Sequence, residues 1–533
     1  MIAAIQKLRS NLHRNMEATP LQENALTPPS VIILGAGGSG LSLAILLARD
    51  HGMKIDVYDA LETLQQDDLQ SYPIGINPRG MATLKAVDPT LEKAIDVATG
   101  MVDAWMIMAP PMKRIARMAS GTVLGTTRGA VVAELAKVAQ KTANIDIHLG
   151  HKLVRADIDT QTITFAVGGI EQTVPYSAAR VVDASGCWSK LRTAVAAADT
   201  SFQVETWPWD IHFRNLFSED PPPEGSLLKG KEHYIFTTAG IYCAVLTGRR
   251  WSFSLSVNRA LQPGCDFLLS DQATPENIAV RPAPSTIPFA PFPRLTGAHC
   301  TLPLSQRLKQ HVAEHCPPAT GMLSEEEYTR FFSRRAFTGQ VVHVSRLHHA
   351  EKICFIGDAA HSLIPSTGEG MNSALEDVRE LTSALTASAM QTAISGDAPG
   401  WFETYNARRI DDVQAISRYA AWLLEGMKSD AAERNRRTAS MVLGAIGQKM
   451  GLLGASWNDK TFGPQAALME PYSRAFASWR SDMKRVTPWG ERIIYWFAKD
   501  GGRKQLKEQR ALAKAKGGGG MSEGKGAAAV NYE

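Results

Sequence analysis

Val31-Ile32-Ile33-Leu34 is a short, wholly apolar run that ends at Gly35-Ala36-Gly37-Gly38-Ser39-Gly40. Such a run is of buried-strand type, and the helical spacing of Leu41 to Arg49 follows it at once. Lys54 to Tyr58 then alternates like a second strand. A strand–turn–helix–strand unit of this kind, about 30 residues long, is the opening of a doubly wound α/β domain. The glycines fit G-x-G-x-x-G, and each has a physical task. Gly35 permits the tight turn out of the strand, Gly37 lets backbone approach a pyrophosphate, and Gly40 lets the helix pack closely on the strand. Ala36, Gly38 and Ser39 complete a loop whose amides lie at a helix start, where the dipole favours negative charge. Asp59 stands at the end of the second strand, 24 residues after Gly35, placed to accept hydrogen bonds from ribose hydroxyls. The pattern points to a dinucleotide. It does not separate a nicotinamide from a flavin, and a glycine turn in an unrelated α/β unit is the bland alternative.

A second cluster bears on that choice. Lys352 to Asp377 reads as an apolar strand ending in Gly357-Asp358, a loop from Pro365 to Gly368, and a helix starting near Gly370. Asp358 can accept a hydrogen bond from a polyol chain. The free amides and positive dipole end at Gly370, Met371 and Asn372 suit the N1–C2 carbonyl edge of a flavin, where negative charge gathers on reduction. A nicotinamide dinucleotide has no ribitol and needs no such second site. The two clusters together point to FAD.

This stretch resembles the single-component FAD-dependent aromatic hydroxylases. The resemblance implies that Gly357-Asp358 binds the ribityl chain and that the loop from Pro365 to Gly368 lies against the isoalloxazine. It implies that Arg128, after Thr126-Thr127, contacts FAD, and it places Arg79 and Leu153 in the cofactor-binding set. Val181-Val182-Asp183-Ala184-Ser185-Gly186, continuing to Arg192, is similar to the family's Asp-Gly fingerprint, which is tied to both FAD and NAD(P)H; Ser185 stands where the family has Asp. Within the family the chain looks most like the kynurenine 3-monooxygenase group. The cues are Gly368-x-Gly370-Met371-Asn372, Ile76-Asn77-Pro78-Arg79-Gly80, and the helical stretch Arg409-Ile410-Asp411-Asp412 through Ala415-Ile416-Ser417. The similarity runs over roughly residues 30–490. Trp105 falls near the position of that group's carboxylate-gripping Arg, and Trp422 near one of its substrate tyrosines.

The implied activity is insertion of one oxygen atom from O₂ into a small aromatic or unsaturated substrate. NADPH, or NADH, is the implied electron donor, and the route runs through a flavin C4a-hydroperoxide. Several residues keep two readings. His361 is a general acid or base, or a histidine that orders the loop. Glu369, where relatives often have Gln, steers substrate or is a solvated loop acid. Asn372 turns its side chain to substrate, or is a polar residue at a helix start. Glu376 and Asp377 are not a catalytic pair, because adjacent helix residues point in different directions. Trp207-Pro208-Trp209-Asp210-Ile211 resembles the W-x-W-x-I-P signature of flavin-dependent halogenases, with His212 in place of the Pro; strand-core tryptophans are the other reading. Halogenation or epoxidation is thus one alternative, and an FAD-binding scaffold or sensor is another.

The fold class expected is α/β with an α+β insert. A Rossmann-like FAD-binding domain of aromatic-hydroxylase type, residues 30–200 and 341–395, holds an inserted, mostly antiparallel substrate sheet at 201–340. A C-terminal helical region covers 396–500. Residues 1–29 form a flexible leader. Met1 to Met16 carries Lys7, Arg9 and Arg14 and no acid, which reads as a mitochondrial presequence or as a frayed amphipathic leader. The Lys-, Gly- and Ala-rich stretch 501–533 is a disordered tail. A net charge of +4 over 533 residues, without a basic stripe, argues against nucleic acid. Six separated cysteines without C-x-x-C argue against a structural metal or disulfide framework and for an intracellular, cytoplasmic or organellar setting. No apolar run reaches the length of a membrane span. The expected partners are a small-molecule substrate and O₂.

Overall fold

Parallel strands covered on both faces need nearly continuous apolar runs, and the segments around the two glycine clusters supply them. In the computed structural model, residues 30–497 are described, apart from 65–70, 96–100, 110–111, 219, 237–240, 246–250, 259–264, 271–301, 396–398 and 430. The first sheet has six strands in the order His348–His349, Ile353–Phe355, Ala179–Asp183, Ser30–Leu34, Lys54–Tyr58 and Ile145–His148. All its pairings are parallel except that of His348–His349 with Ile353–Phe355. Leu34 lies level with Asp183, and Asp183 with Phe355. The loops that begin at Gly35, Ala184 and Ile356 therefore leave the same carboxyl edge side by side, which is where open α/β sheets bind their ligands.

The glycine turn is held by its neighbours. Gly35 has φ +102° and donates its amide to the Tyr58 carbonyl at 2.8 Å. A side chain on Gly40 would collide with the Gly35 carbonyl, so helix Gly38–His51 packs on the strand only with glycine there. The helix buries Leu41, Leu43, Ile45 and Leu47, and it ends on Gly52 in the left-handed region, φ 64°.

The second sheet runs Ile211–Phe217, Trp251–Asn258, Ile241–Val245, Glu232–Phe236, Ala104–Ala109 and Lys113–Ala119. It is antiparallel except where Glu232–Phe236 meets Ala104–Ala109. Two of its strands come from 104–119, so the sheet reaches outside the expected range 201–340. The reason is local: Ala104, Met106 and Met108 alternate inward to the core built on Trp251 and Phe253, while Trp105 and Ile107 are only half-buried. Val204–Pro208 pairs with Gln340–Val344 as the chain returns to the first sheet.

Helices Gly370–Ser395, Trp401–Lys428, Ala431–Lys449 and Tyr472–Phe497 complete the described chain. None of the described helices is long and apolar enough to cross a membrane. The described residues contain no group of three or more His, Cys, Asp or Glu side chains arranged to hold a metal. Cys187, Cys243, Cys265, Cys316 and Cys354 are free thiols. The leader 1–29 with its presequence reading, the tail 501–533 and Cys300 lie outside the described residues.

Candidate functional site

At one end of the carboxyl edge the Gly37 backbone is bare. Among the described residues, only the Arg128 guanidinium comes within 4 Å of where a Cβ would stand, at 3.5 Å. Arg128 opens helix Arg128–Lys141, whose N-cap Thr127 accepts from the Ala130 amide at 3.0 Å. Asp59 is half-buried and already accepts two amides, from Ala36 at 2.6 Å and Leu61 at 2.8 Å, which fixes its carboxylate at the strand end. Leu153 lies on strand Lys152–Asp157 beside a bulge and packs against the first sheet's core.

The second cluster closes on the first. A Cβ on Gly38 would stand 2.7 Å from Met371 Sδ, and one on Gly357, φ +56°, would stand 3.2 Å from Ser39 Oγ. Asp358 is exposed while Ile356, Gly357, Ala359 and Ala360 around it are buried. Protein nonetheless hems it in closely enough that burial raises its carboxyl, against the opposing charges of His361 and Arg128. An accessible carboxylate deep among protein atoms is a recess wall.

Behind the recess lies a buried ionic cluster. Asp377 accepts the Gly357 amide at 2.8 Å, His361 Nε2 at 2.5 Å and Arg409 Nε at 2.8 Å. Burial alone would raise the Asp377 carboxyl; His361 and Arg409 hold it below its ordinary range. Arg409 also reaches Glu376 at 2.8 Å, and Arg79 pairs with the same Glu376 at 2.9 Å. Glu376 and Asp377 thus diverge, each to its own partners, with Arg409 between them. Arg79, expected at the cofactor, turns its guanidinium to Glu376, the Glu470 carbonyl and the Tyr472 ring, 4.2 Å from that ring's centroid. His361 is fully buried in this cluster, and its Nδ1 has no hydrogen-bond partner among the described residues.

Two expectations on the loop are corrected. Glu369 is not a solvated acid: it is fully buried, accepting the Tyr472 hydroxyl at 2.5 Å and Asn77 Nδ2 at 2.9 Å. Burial raises its carboxyl to about 7, against the lowering effects of Tyr472, Arg79 and Asn77. The Asn372 side chain does not reach into a substrate space. It donates to the carbonyls of Gly75 at 2.8 Å and Gly368 at 3.1 Å and accepts the Asn77 amide at 2.9 Å, because the end of strand Pro73–Ile76 and the turn Pro365–Thr367 leave backbone groups there that need partners. Trp422 belongs to an aromatic cluster with Tyr419 and Trp479, its ring 4.8 Å from that of Trp479. Trp105 is better placed. Its ring stands edge-on to Phe462 at 5.5 Å, and Phe462 covers Gly368, φ +66°.

Ser185 donates its amide and hydroxyl to Asp183, which also takes the Ser189 hydroxyl, so the fingerprint keeps a buried carboxylate two residues upstream. Arg192 clamps the carbonyls of Ala359 and Cys187 at 2.6 and 2.7 Å. Trp207 stands half-buried on the strand paired with Gln340–Val344, and Trp209, just past that strand's end, is buried against Gly339, so both are packing residues. Asn77, Arg409, Phe462 and Tyr472 went unnoticed as site residues. Asn77 alone carried a local signal, a capping residue followed by Pro at the first helical position.

The bare backbone at Gly37, the open space beside the Gly370 Cα, the accessible Asp358 and the unpartnered His361 Nδ1 all fit FAD. Comparison with known proteins agrees. A family model described as FAD binding domain matches residues 271–420. The kynurenine 3-monooxygenase of Xanthomonas axonopodis pv. citri (strain 306) is 25% identical over 408 residues, covering 75% of this chain and 79% of that one. That of Xanthomonas oryzae pv. oryzae (strain KACC10331 / KXO85) is 26% identical over 406 residues, covering 74% and 79%. In fold, the chain is similar to 2-methyl-3-hydroxypyridine-5-carboxylic acid oxygenase, with TM-score 0.53 and 14% identity over 86% of this chain and 98% of that one. It is similar also to p-nitrophenol 4-monooxygenase from Pseudomonas putida DLL-E4, with TM-score 0.53 and 14% identity over 77% and 92%. The chain is similar to FAD-dependent monooxygenases in sequence over three quarters of its length, carries a stretch that matches an FAD binding domain, and shares the fold of aromatic-hydroxylase-type monooxygenases.

Proposed function

We propose that this monooxygenase inserts one oxygen atom of O₂ into a small aromatic or unsaturated compound, with NADPH or NADH as reductant. The observation that carries the reading is the meeting of Gly37 and Gly38 with Arg128, Asp358 and Met371 in one recess. Phosphate-favouring amides at one end, a carboxylate midway and a second helix start beyond match a ligand with a pyrophosphate, a polyol and a ring, in that order. On this reading Gly35 to Gly40 and Arg128 hold the pyrophosphate, Asp59 the ribose, Asp358 the ribityl chain, and Gly368 to Asn372 the pyrimidine edge. Arg79 acts through Glu376 and not by contact.

Bound FAD supplies the oxygen activation that no side chain here can perform. The chain's own contribution is positioning. The amides at Gly370 to Asn372, at the start of a 26-residue helix, favour negative charge beside them. Asp377 and His361 hold the loop that carries Asp358. Trp105 and Phe462 form an edge-to-face wall next to Gly368, which supports an aromatic ring as substrate. Kynurenine, named in the relatives, is one candidate; Trp105, standing near the expected position of a carboxylate-gripping Arg, supports a substrate without that anchor.

The test is purification of the yellow protein and incubation with a panel of aromatic compounds, NADPH and isotopically labelled O₂. One labelled oxygen in the product, with matching NADPH consumption, is the expected result. A protein that carries no FAD, or product oxygen drawn from water, would refute the reading.

A further inference from the structure

Glu369 is the only acid of the loop from Pro365 to Asn372 and directly precedes helix Gly370–Ser395. It is fully buried. Asn77 Nδ2 faces both its oxygens, at 2.9 and 3.2 Å, and also donates to the Thr461 carbonyl at 3.0 Å. Asn77 Oδ1 accepts the Arg79 amide at 3.0 Å, so the amide group is fixed in orientation and remains a donor to Glu369. Tyr472 is different. Its hydroxyl lies 2.5 Å from Glu369 Oε2 and can either donate or accept. The same geometry therefore accommodates Glu369 ionised, accepting from Tyr472, or neutral, donating to it.

The charges around the pair are already matched. Arg79 of helix Pro78–Val87 stacks on Tyr472 at 4.2 Å, and Arg409 of helix Trp401–Lys428 lies 5.5 Å from the same ring. Both arginines are paired with Glu376 of helix Gly370–Ser395. Lys460 of helix Trp457–Thr461 pairs with Glu470 at 3.2 Å. Neither arginine is given over to Glu369, and burial leaves its carboxyl titrating near neutrality.

We propose that Glu369 and Tyr472 form a buried proton-holding pair, in which Glu369 takes up a proton when the cofactor at the Gly370–Asn372 helix start is reduced. This rests on the FAD reading above. A hydride from NAD(P)H brings two electrons and one proton, leaving one negative charge on the cofactor. That charge and an ionised Glu369 would share one helix end in a water-poor site, where like charges repel strongly. The balancing proton comes from water and resides on the Glu369 carboxylate. Tyr472 keeps its own proton and turns from donor to acceptor. Glu369 is thus a positioning residue for charge.

The test uses the FAD-loaded protein without substrate. Its reduction midpoint is measured between pH 5 and pH 9, as roughly the span that brackets a carboxyl raised to near neutrality, in the parent, Glu369→Gln and Tyr472→Phe. The parent should show a change of slope near neutral pH. Glu369→Gln, which keeps the shape and the acceptor for Asn77, should lose it. Tyr472→Phe should keep it at a displaced pH. A Glu369→Gln protein that holds FAD and repeats the parent profile overturns the proposal while leaving the monooxygenase reading intact. A parent protein that never binds FAD overturns both.

Discussion

Arg409 bridges two carboxylates that belong to different parts of the site. With Nε on Asp377 and Nη1 on Glu376, it neutralises a buried cluster in which Asp377 also holds the Gly357 amide. Arg409→Met should leave those carboxylates uncompensated and cost about 3–5 kcal/mol of stability, read by urea unfolding; a loss below 1 kcal/mol would contradict the assigned role. Asp358→Ala removes an acceptor and no hydrogen bond to another described residue. Loss of one charge-assisted hydrogen bond, roughly 1.5–3 kcal/mol, should weaken FAD retention about 10- to 100-fold, and unchanged flavin content after gel filtration would remove Asp358 from the cradle. Glu369 gives a pH signature. Its folded carboxyl is raised from 4.5 to about 7, so the fold binds the proton more tightly than the unfolded chain does. Its stabilisation is full below pH 4.5 and is lost as pH rises towards 7, by about 3 kcal/mol at most. Against Glu369→Gln, the parent should therefore lose stability over that window and run parallel above it. Such residues differ in how legible they are. Asp358 is readable because its task follows from its place after a strand. The burial of Glu369 is not, because its hydroxyl partner Tyr472 lies 103 residues away.

At the scale of elements, the glycine unit is legible because every requirement in it is local. Lys54–Tyr58 appears as read, and helix Gly38–His51 begins three residues before its first apolar position because the motif's own glycine and serine form its first turn. Gly40→Ala tests the packing behind that reading. The added methyl would meet the Gly35 carbonyl, a backbone atom that cannot move without shifting the strand end. The variant should lose flavin and melt well below the parent, whereas Gly52→Ala, with no described residue within 4 Å of the added methyl, should pay only the left-handed strain, about 1–2 kcal/mol. Equal melting of the two by circular dichroism would refute the close contact. Strands Ala104–Ala109 and Lys113–Ala119 show the opposite case. The first is a wholly apolar run and the second is almost wholly exposed, and nothing local says which sheet they join. That is decided by the parallel pairing of Ala104–Ala109 with Glu232–Phe236, more than a hundred residues on.

In the whole molecule, the proposed cradle has no single segment of origin. Residues 35–40 and 357–372 meet because the strands that launch them, Ser30–Leu34 and Ile353–Phe355, flank Ala179–Asp183 in one sheet, while Arg128 comes from the end of Leu124–Thr127, a strand of the separate two-stranded sheet with Pro73–Ile76. The sequence shows both glycine clusters but not their junction, since contacts such as Gly38 against Met371 and Gly357 against Ser39 are products of the closed sheet. A ligand that touches all three segments must couple them. FAD at a hundred times its dissociation constant should add about 2.7 kcal/mol to the stability of the flavin-stripped protein. Hydrogen exchange should slow together in peptides covering 35–40 and 357–372, because opening either segment would release the same ligand. Protection confined to the first peptide would mean that FAD is held by the glycine turn alone, and the two-part cradle would have to be abandoned.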